Sequence, residues 1–185
     1  TRLIVAITGA TGAIYGVRVL QRLRDVGAET HLVMSRWGAR TLLHETPYTV
    51  EQVQRLATHA YASTDQGAPV SSGSFVTLGM IVLPCSMKTL AQIATGVGDS
   101  LVPRAADVVL KERRRLVLLV RETPLHLGHL RTMAQVTEIG AIVMPPVPAF
   151  YNRPATIDDL VTQTVGRALD LFGIETGIPR WKDDA

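Results

Sequence analysis

Short apolar runs alternate with longer amphipathic stretches along the chain. The apolar runs are four or five residues long, which suits strands buried on both faces, and they lie at 3–7, 31–34, 79–83, 116–120 and 141–144. Between them, apolar residues recur at helical spacing and predict a first helix that ends at Gly27, followed by helices at 36–44, 49–58, 86–95, 103–113, 125–138 and 157–172. The segment 61–78 is rich in glycine, proline and serine and predicts a surface loop with room for one strand.

This alternation predicts the fold class. Strands that alternate with helices form a parallel sheet covered by helices on both faces, so we expect an α/β protein with a Rossmann-like three-layer sandwich. The 185 residues suffice for one domain spanning 1–185. Ligands of such sheets bind beyond the carboxyl ends of the strands. The turns that should carry function are therefore 8–12, 35–37, 84–89, 121–125 and 145–154.

Composition narrows the function. Hydrophobic residues make up 46% and charged residues 19%, as in a globular protein rather than a disordered one. The formal net charge of +3 is too small to argue for nucleic acid and suits a small anionic ligand. No apolar stretch reaches the roughly 18 residues of a membrane span, so no membrane partner is expected. Cys85 is the single cysteine, which excludes an intrachain disulfide and leads us to expect a cytoplasmic location.

The glycine-rich turn after the first predicted strand, TGATGAIYG, raises the question of a nucleotide site. Gly9 and Gly12 permit a tight turn, Gly16 lets a helix pack on the strand, and the helix N-terminus attracts phosphate. No Gly-Lys-Ser/Thr follows, which excludes a Walker A loop. A dinucleotide site requires an acid at the end of the second strand, whereas Glu29 lies at its start. The turn alone leaves open a mononucleotide, an NADP site that uses Arg36, and a purely structural turn.

Hydroxyl and cationic side chains dominate the other strand ends. Ser86 and Thr89 begin a predicted helix, where they cap the helix, bind an anion, or do both. Arg121 and Glu122 directly follow a buried strand. Two histidines three residues apart have the spacing of metal ligands, but no HExxH, CxxC or acidic cluster accompanies them. These residues point to a metal-free site for an anionic substrate and a departing phosphate.

Seven motifs in order resemble one known family over residues 2 to 182. They read TGATGAIYG, SGSF, PCSMKTLA, RAADVVLKERR, LVRETP, PAFYNRP and PRW. The chain resembles the UbiX/Pad-type flavin prenyltransferases, which include the B subunits of phenolic acid decarboxylase systems. The resemblance implies a flavodoxin-like fold, reduced FMN as substrate, and dimethylallyl monophosphate as donor. It also implies a homo-dodecamer with its site between subunits, and a UbiD-type decarboxylase that receives the prenylated FMN.

The resemblance also implies roles for individual residues. Those that match FMN contacts are Thr8, Gly9, Ala10, Thr11, Gly12, Ser35, Ser86, Thr89 and Arg121. Those that match the prenyl donor pocket are Ser72, Gly73, Ser74, Arg104, Lys111, Glu122, Tyr151 and Arg167. Glu45 matches an acid that assists proton movement, and Trp181 matches a residue of the pocket wall. The catalytic set is therefore expected to be Glu45, Lys111, Arg121, Glu122 and Trp181.

Other functions compete with this interpretation. The chain could be a flavin-dependent decarboxylase of aromatic acids, or an accessory subunit that binds FMN for a decarboxylase. An NADP-dependent reductase rests on Arg36 alone. The stretch PLHLGHLRTM is more similar to the ubiquinone-linked members of the family than to the phenolic acid group, and it favours a role in ubiquinone synthesis.

Overall fold

The computed structural model describes residues 1–181 and shows a single sheet of six parallel strands. The strands are β1 (Arg2–Ile7), β2 (Glu29–Met34), β3 (His59–Ala62), β4 (Gly79–Cys85), β5 (Arg115–Val120) and β6 (Ile142–Val143). They lie in the order β3-β2-β1-β4-β5-β6. The two neighbours of β1 therefore belong to opposite halves of the sheet, which opens a crevice at the carboxyl end of β1.

Seven α-helices cover the sheet in the part of the chain that the structure describes. They are α1 (Ala13–Asp25), α2 (Arg36–Glu45), α3 (Val50–Gln54), α4 (Met87–Thr95), α5 (Leu101–Lys111), α6 (Leu127–Glu138) and α7 (Ile157–Asp170). None of the described helices is long and apolar enough to cross a membrane. A short 3₁₀ turn at Pro69–Ser71 interrupts the long segment between β3 and β4.

Two hydrophobic cores lie on opposite faces of the sheet. Alternate residues of β1 serve each core, because successive strand side chains point to opposite faces. Val5 and Ile7 pack with α1 and α7, whereas Ile4 and Ala6 pack with α4, α5 and α6. The expected α/β three-layer sandwich with a parallel sheet is confirmed.

The segment between α2 and β4 is where the prediction was least accurate. The helix expected at 49–58 ends at Gln54, and β3 begins at His59, just ahead of the loop that had room for one strand. The strand reads HAYA and three of its four residues are exposed. An edge strand of this kind has no apolar run, so hydrophobic periodicity does not reveal it.

Close backbone approach shapes the crevice beside β1. A side chain at Gly38 would place its Cβ 2.4 Å from the carbonyl oxygen of Ile7. A side chain at Gly9 would place its Cβ 2.4 Å from the Cβ of Trp37. Glycine at both positions lets the first turn of α2 lie directly against the end of β1, which sets one wall of the site.

Candidate functional site

A cleft of about 530 Å³ lies at the carboxyl edge of the sheet, where β1 separates β2 from β4. Its walls are the turns after β1, β2 and β4, together with the loop before α5. Among its lining residues are Gly9, Ser35, Arg36, Trp37, Ser86, Lys88, Thr89, Asp99, Ser100 and Glu122. Four of these, Gly9, Ser35, Ser86 and Thr89, were predicted to contact FMN, and Glu122 was predicted in the donor pocket.

Two serine-capped helix N-termini flank this cleft. The Ser35 hydroxyl accepts a hydrogen bond from the Gly38 amide at the start of α2, with a length of 3.0 Å. The Ser86 hydroxyl accepts one from the Thr89 amide at the start of α4, at 3.2 Å, and donates to the Thr89 hydroxyl at 3.0 Å. The unpaired amides and partial positive charge of both helix ends favour a bound anion between them.

Thr8 shapes the cleft but does not line it. Its side chain is buried, and its hydroxyl donates to the Pro84 carbonyl at 2.7 Å and accepts from the Ser86 amide at 2.9 Å. These bonds hold the end of β1 against the turn that begins α4. The Thr8 hydroxyl therefore links two strand ends, and its contact with FMN remains a prediction.

In the glycine turn, a carboxylate of the same chain occupies the N-terminus of α1. The Glu45 carboxylate accepts hydrogen bonds from the amides of Gly12 and Ala13, at 2.8 and 3.1 Å. Gly12 has a φ of 101°, which favours glycine, and it offers α1 no side-chain cap. Glu45 thus supplies the anion that this N-terminus attracts. Gly9 lines the cleft, whereas Ala10, Thr11 and Gly12 do not, and the contact of these three residues with FMN remains a prediction.

The acid that a dinucleotide site would use lies at the other edge of the sheet. Glu29 begins β2, and its carboxylate accepts from Arg2 and contacts His31, each at 2.9 Å. Hydrogen bonds from Arg2 and His31 lower the pKa of Glu29, while burial lowers the pKa of His31. This acid is committed to the packing of β1, β2 and β3 at their amino ends and cannot reach a ribose in the cleft.

The loop at 72–74 and Lys111 form a second group of predicted residues. The hydroxyls of Ser72 and Ser74 are 2.9 Å apart. A side chain at Gly73 would lie 2.6 Å from the Lys111 ammonium, so the loop backbone packs against this cation. Lys111 forms an ion pair with Glu112 and lowers the pKa of that carboxyl.

Arg104 attaches the same loop region to α5. Its guanidinium donates to the Ser71 carbonyl at 3.2 Å and pairs with Asp107 at 2.9 Å. Arg104 and Lys111 therefore contact one continuous segment, as expected from their seven-residue spacing on one helix.

Lys111 and the 72–74 loop lie at the opposite edge of the sheet from the cleft. Helix α5 starts at the cleft, where Val102 and Pro103 contribute to the lining, and ends at Lys111 just before β5. Nine residues of helix separate Val102 from Lys111, a rise of about 14 Å. Lys111 and Glu122 of one chain therefore lie at opposite edges of the sheet, and the expected donor pocket between subunits remains a prediction.

Tyr151, Arg167 and Trp181 form a third group around the end of α7. The rings of Tyr151 and Trp181 meet edge to face, with centroids 5.6 Å apart. Arg167 pairs with Asp170, which also accepts two hydrogen bonds from Arg180, each 2.9 Å long. This part of the prediction is brought together by the structure, because the segment after α7 folds back along it.

Arg121 joins two strand ends. Its amide donates to the Cys85 carbonyl at 3.0 Å, and its charge acts on Tyr15. Burial raises the pKa of Tyr15, while a hydrogen bond with Thr164 and the Arg121 charge oppose that rise. Arg121 therefore lies on the α1 and α7 side of the sheet, where Tyr151 and Arg167 are also found on or beside α7.

Two other reactive residue types are used structurally. Cys85 is completely buried, and burial raises the pKa of its thiol far above the ordinary value, which makes it a poor nucleophile. His126 caps α6 by accepting from the His129 amide at 3.3 Å, and the two rings stack at 3.6 Å. The histidine pair that had metal-like spacing is therefore explained by capping.

Comparison with known proteins gives the family. The family model described as Flavoprotein matches residues 1–169. Flavin prenyltransferase UbiX from Escherichia coli K12 is 60% identical over 185 residues, covering 98% of both chains. A probable UbiX-like flavin prenyltransferase from Bacillus subtilis strain 168 is 58% identical, covering 94% of this chain and 85% of its own. The chain belongs to the UbiX-type flavin prenyltransferases.

Solved structures agree with this assignment. The structure of AnUbiX (PadA1) in complex with FMN and dimethylallyl pyrophosphate superposes with a TM-score of 0.97 at 56% identity, covering 98% of this chain and 97% of the other. A dodecameric FMN-dependent UbiX-like decarboxylase from Escherichia coli O157:H7 gives a TM-score of 0.96 at 54% identity, covering 98% and 100%. This flavin prenyltransferase is a transferase with a flavodoxin-like fold, as the motifs indicated.

Several residues lining the cleft of this flavin prenyltransferase were missed by sequence reasoning. Trp37 had a usable signal, because it is a large aromatic residue in a strand-to-helix turn, and it is 59% exposed. Lys88 lies inside the PCSMKTLA motif, two residues after Ser86. Asp99 and Ser100 had no such signal, since they come from a loop between two helices.

Replacing Glu45 should test the anion at the start of α1. Glu45→Ala leaves the Gly12 and Ala13 amides without their acceptor and should lower the free energy of unfolding by about 1–2 kcal/mol. Glu45→Gln keeps an acceptor oxygen and should cost clearly less. Urea denaturation of the ligand-free protein measures both, and equal losses in the two variants would contradict the capping role.

Asp170 should make stability depend on acid pH. Burial raises its pKa, but hydrogen bonds from Arg180 and Arg167 outweigh burial and leave the pKa below its usual 3.8. Its contribution is therefore complete above about pH 4 and is lost as the pH falls through the lowered pKa.

Asp170→Asn should lower the free energy of unfolding at pH 7 by about 1–3 kcal/mol, and the difference from wild type should shrink below pH 4. The exposed Asp25, 3.8 Å from Arg22, provides the control, since Asp25→Asn should change stability by less than about 0.5 kcal/mol. Denaturation curves at pH 3, 4, 5 and 7 measure both. A pH-independent loss in Asp170→Asn would refute the ionic contribution.

Proposed function

We propose that this chain binds reduced FMN in the cleft and transfers a dimethylallyl group to it from dimethylallyl monophosphate. The new bonds form first at N5 and then at C6 of the flavin, and the product is prenylated FMN for a UbiD-type decarboxylase. The single observation that carries the proposal is the pair of serine-capped helix ends that face one cleft. The relatives support it, since AnUbiX was solved with FMN and dimethylallyl pyrophosphate.

The residues of the cleft fit a flavin mononucleotide. Ser35 and Ser86 place two helix N-termini at one cleft, and Arg36 and Lys88 add cationic groups to its lining. A cleft of about 530 Å³ has the size of a site for one small ligand. When bound, reduced FMN supplies a nucleophilic N5 atom.

The remaining predicted residues would act on the prenyl donor. Negative charge develops on the leaving phosphate as the carbon–oxygen bond breaks, and we assign its stabilisation to Lys111, Arg121 and Arg167. Tyr151 would donate a hydrogen bond to the same phosphate. We assign Glu122, which lines the cleft, to accepting the proton released on ring closure, together with the departing phosphate. Trp181 would shelter the allylic group with its aromatic face.

The separation of Lys111 from the cleft supports a site shared between subunits. Lys111 and the 72–74 loop lie at the amino edge of the sheet, whereas Glu122 lies at the carboxyl edge. A second copy of the chain is therefore needed to bring a Lys111 group to each cleft. We propose a homo-oligomer, with the dodecamer described for the Escherichia coli O157:H7 protein as the expected form.

Two further assignments belong to this proposal. We treat residues 1–185 as one functional domain, which the shared cores on both faces of the sheet support. We also propose that the reaction takes place in the cytoplasm, where a reducing environment suits both the single cysteine and a reduced flavin.

Mass analysis of the flavin tests the reaction directly. The protein, reduced FMN and dimethylallyl monophosphate are mixed without oxygen, and the expected product is FMN carrying one added five-carbon unit. A parallel reaction with dimethylallyl pyrophosphate identifies the donor, and oxidised FMN serves as the negative control. Unmodified FMN in both donor reactions would refute the proposed function.

Two lysine variants should separate the flavin site from the donor site. Lys111→Ala should raise the donor KM about 10- to 100-fold, because it removes a cation from the phosphate, with the Kd for FMN within about twofold. Lys88→Ala is the matched control. It should raise the Kd for FMN about tenfold and should change this Kd more than it changes the donor KM. Fluorescence titration and initial rates measure these constants, and loss of FMN binding in Lys111→Ala would contradict the assignment.

A further inference from the structure

Gln163 is a buried amide in α7 that joins Tyr151 to the chain segment after the helix. Its side chain is 2% exposed. The Nε2 group donates to the Tyr151 hydroxyl at 2.8 Å and to the Pro179 carbonyl at 3.0 Å. Gln163 lies outside the seven family motifs, between PAFYNRP and PRW.

Chemistry determines the orientation of the amide. The Pro179 carbonyl can only accept, so the amide atom facing it must be the nitrogen. The same nitrogen carries the second hydrogen that points to Tyr151, so the tyrosine oxygen accepts that bond. The hydrogen of the tyrosine hydroxyl is then directed away from Gln163 and is available to donate elsewhere.

The cost of burying this amide indicates that its two hydrogen bonds, to Tyr151 and Pro179, have a specific role. Its Oε1 atom is buried and has no hydrogen-bond partner among the described residues. An unpaired buried acceptor is destabilising, and an apolar side chain of similar size would avoid that cost. The contribution of Gln163 therefore lies in what its nitrogen holds, namely the Tyr151 hydroxyl and the backbone that leads to Trp181.

The hydrogen bond from Gln163 orients the hydroxyl of Tyr151. Tyr151 is 41% exposed and its ring meets Trp181 edge to face, while its hydroxyl contacts the buried amide of Gln163. A tyrosine whose oxygen already accepts one bond needs less reorganisation to donate to an arriving phosphate.

We propose that Gln163 is a positioning residue that makes Tyr151 a hydrogen-bond donor to the phosphate of the prenyl donor. It acts through Tyr151, and it sets the place of Trp181 through the Pro179 carbonyl. This inference rests on the proposed function, because it takes Tyr151 as a contact of the donor phosphate.

A double-mutant cycle tests the coupling. Gln163→Leu should raise the donor KM about tenfold in the wild-type background, with kcat less affected and the Kd for FMN within twofold. In the Tyr151→Phe background the same change should raise the donor KM less than about twofold, because the hydroxyl that it orients is gone. An equal factor in both backgrounds, or no change in the wild-type background, would overturn the proposal.

Two further variants provide a substitute in case Gln163→Leu does not fold and a control for the position of the chain after α7. Gln163→Glu preserves size, and its carboxyl group carries at most one hydrogen and so cannot donate to both Tyr151 and Pro179; it should repeat the coupling if Gln163→Leu fails to fold. Arg180→Gln loosens the anchored tail at Asp170, and if its effect on KM matched that of Gln163→Leu, tail position rather than Tyr151 would be responsible. Wild-type protein that makes no prenylated FMN would instead refute the proposed function.

Discussion

The site depends on how the end of β1 is held against the end of β4. One buried hydroxyl, that of Thr8, accepts from the Ser86 amide and donates to the Pro84 carbonyl. This bond pair brings the N-terminus of α4 to the same crevice as the N-terminus of α2, which Gly38 allows to lie against Ile7. The crevice itself follows from strand order, but the convergence of two helix ends in it follows from these close contacts.

Among the helix N-termini near this edge, the start of α1 differs from the starts of α2 and α4. The start of α1 is occupied by a carboxylate from the same chain, whereas α2 and α4 are capped by neutral serine hydroxyls. A carboxylate at α1 neutralises that helix end and disfavours a second anion there, which supports the proposed binding of the FMN phosphate at α2 and α4. Under this proposal, Glu45 favours one binding position without touching the phosphate.

Sequence reasoning was most accurate where periodicity carries the information. Buried strands such as 116–120 were predicted correctly because both faces are apolar. The ends of the strands pointed to Ser35 and Ser86, which lie at the cleft and whose contact with FMN remains a prediction. The contact between Glu45 and Gly12 spans 33 residues of sequence and leaves no local pattern. The burial of Thr8 could not be predicted from sequence either. A threonine beside a glycine turn gives the same local pattern whether its hydroxyl contacts a ligand or a backbone carbonyl.

The position of Lys111 shows why residue identity and assembly have to be considered together. The motif that contains it was recognised, but the motif does not tell which end of the sheet the lysine reaches. Helix α5 begins at the cleft and ends at Lys111. Its first turn therefore lines the cleft, whereas its last turn lies beside the 72–74 loop at the other edge of the sheet. Under the proposed function, a single chain holds the phosphate of FMN but lacks part of the donor pocket. Flavin binding then depends on the fold of one chain, whereas prenyl transfer depends on the assembly.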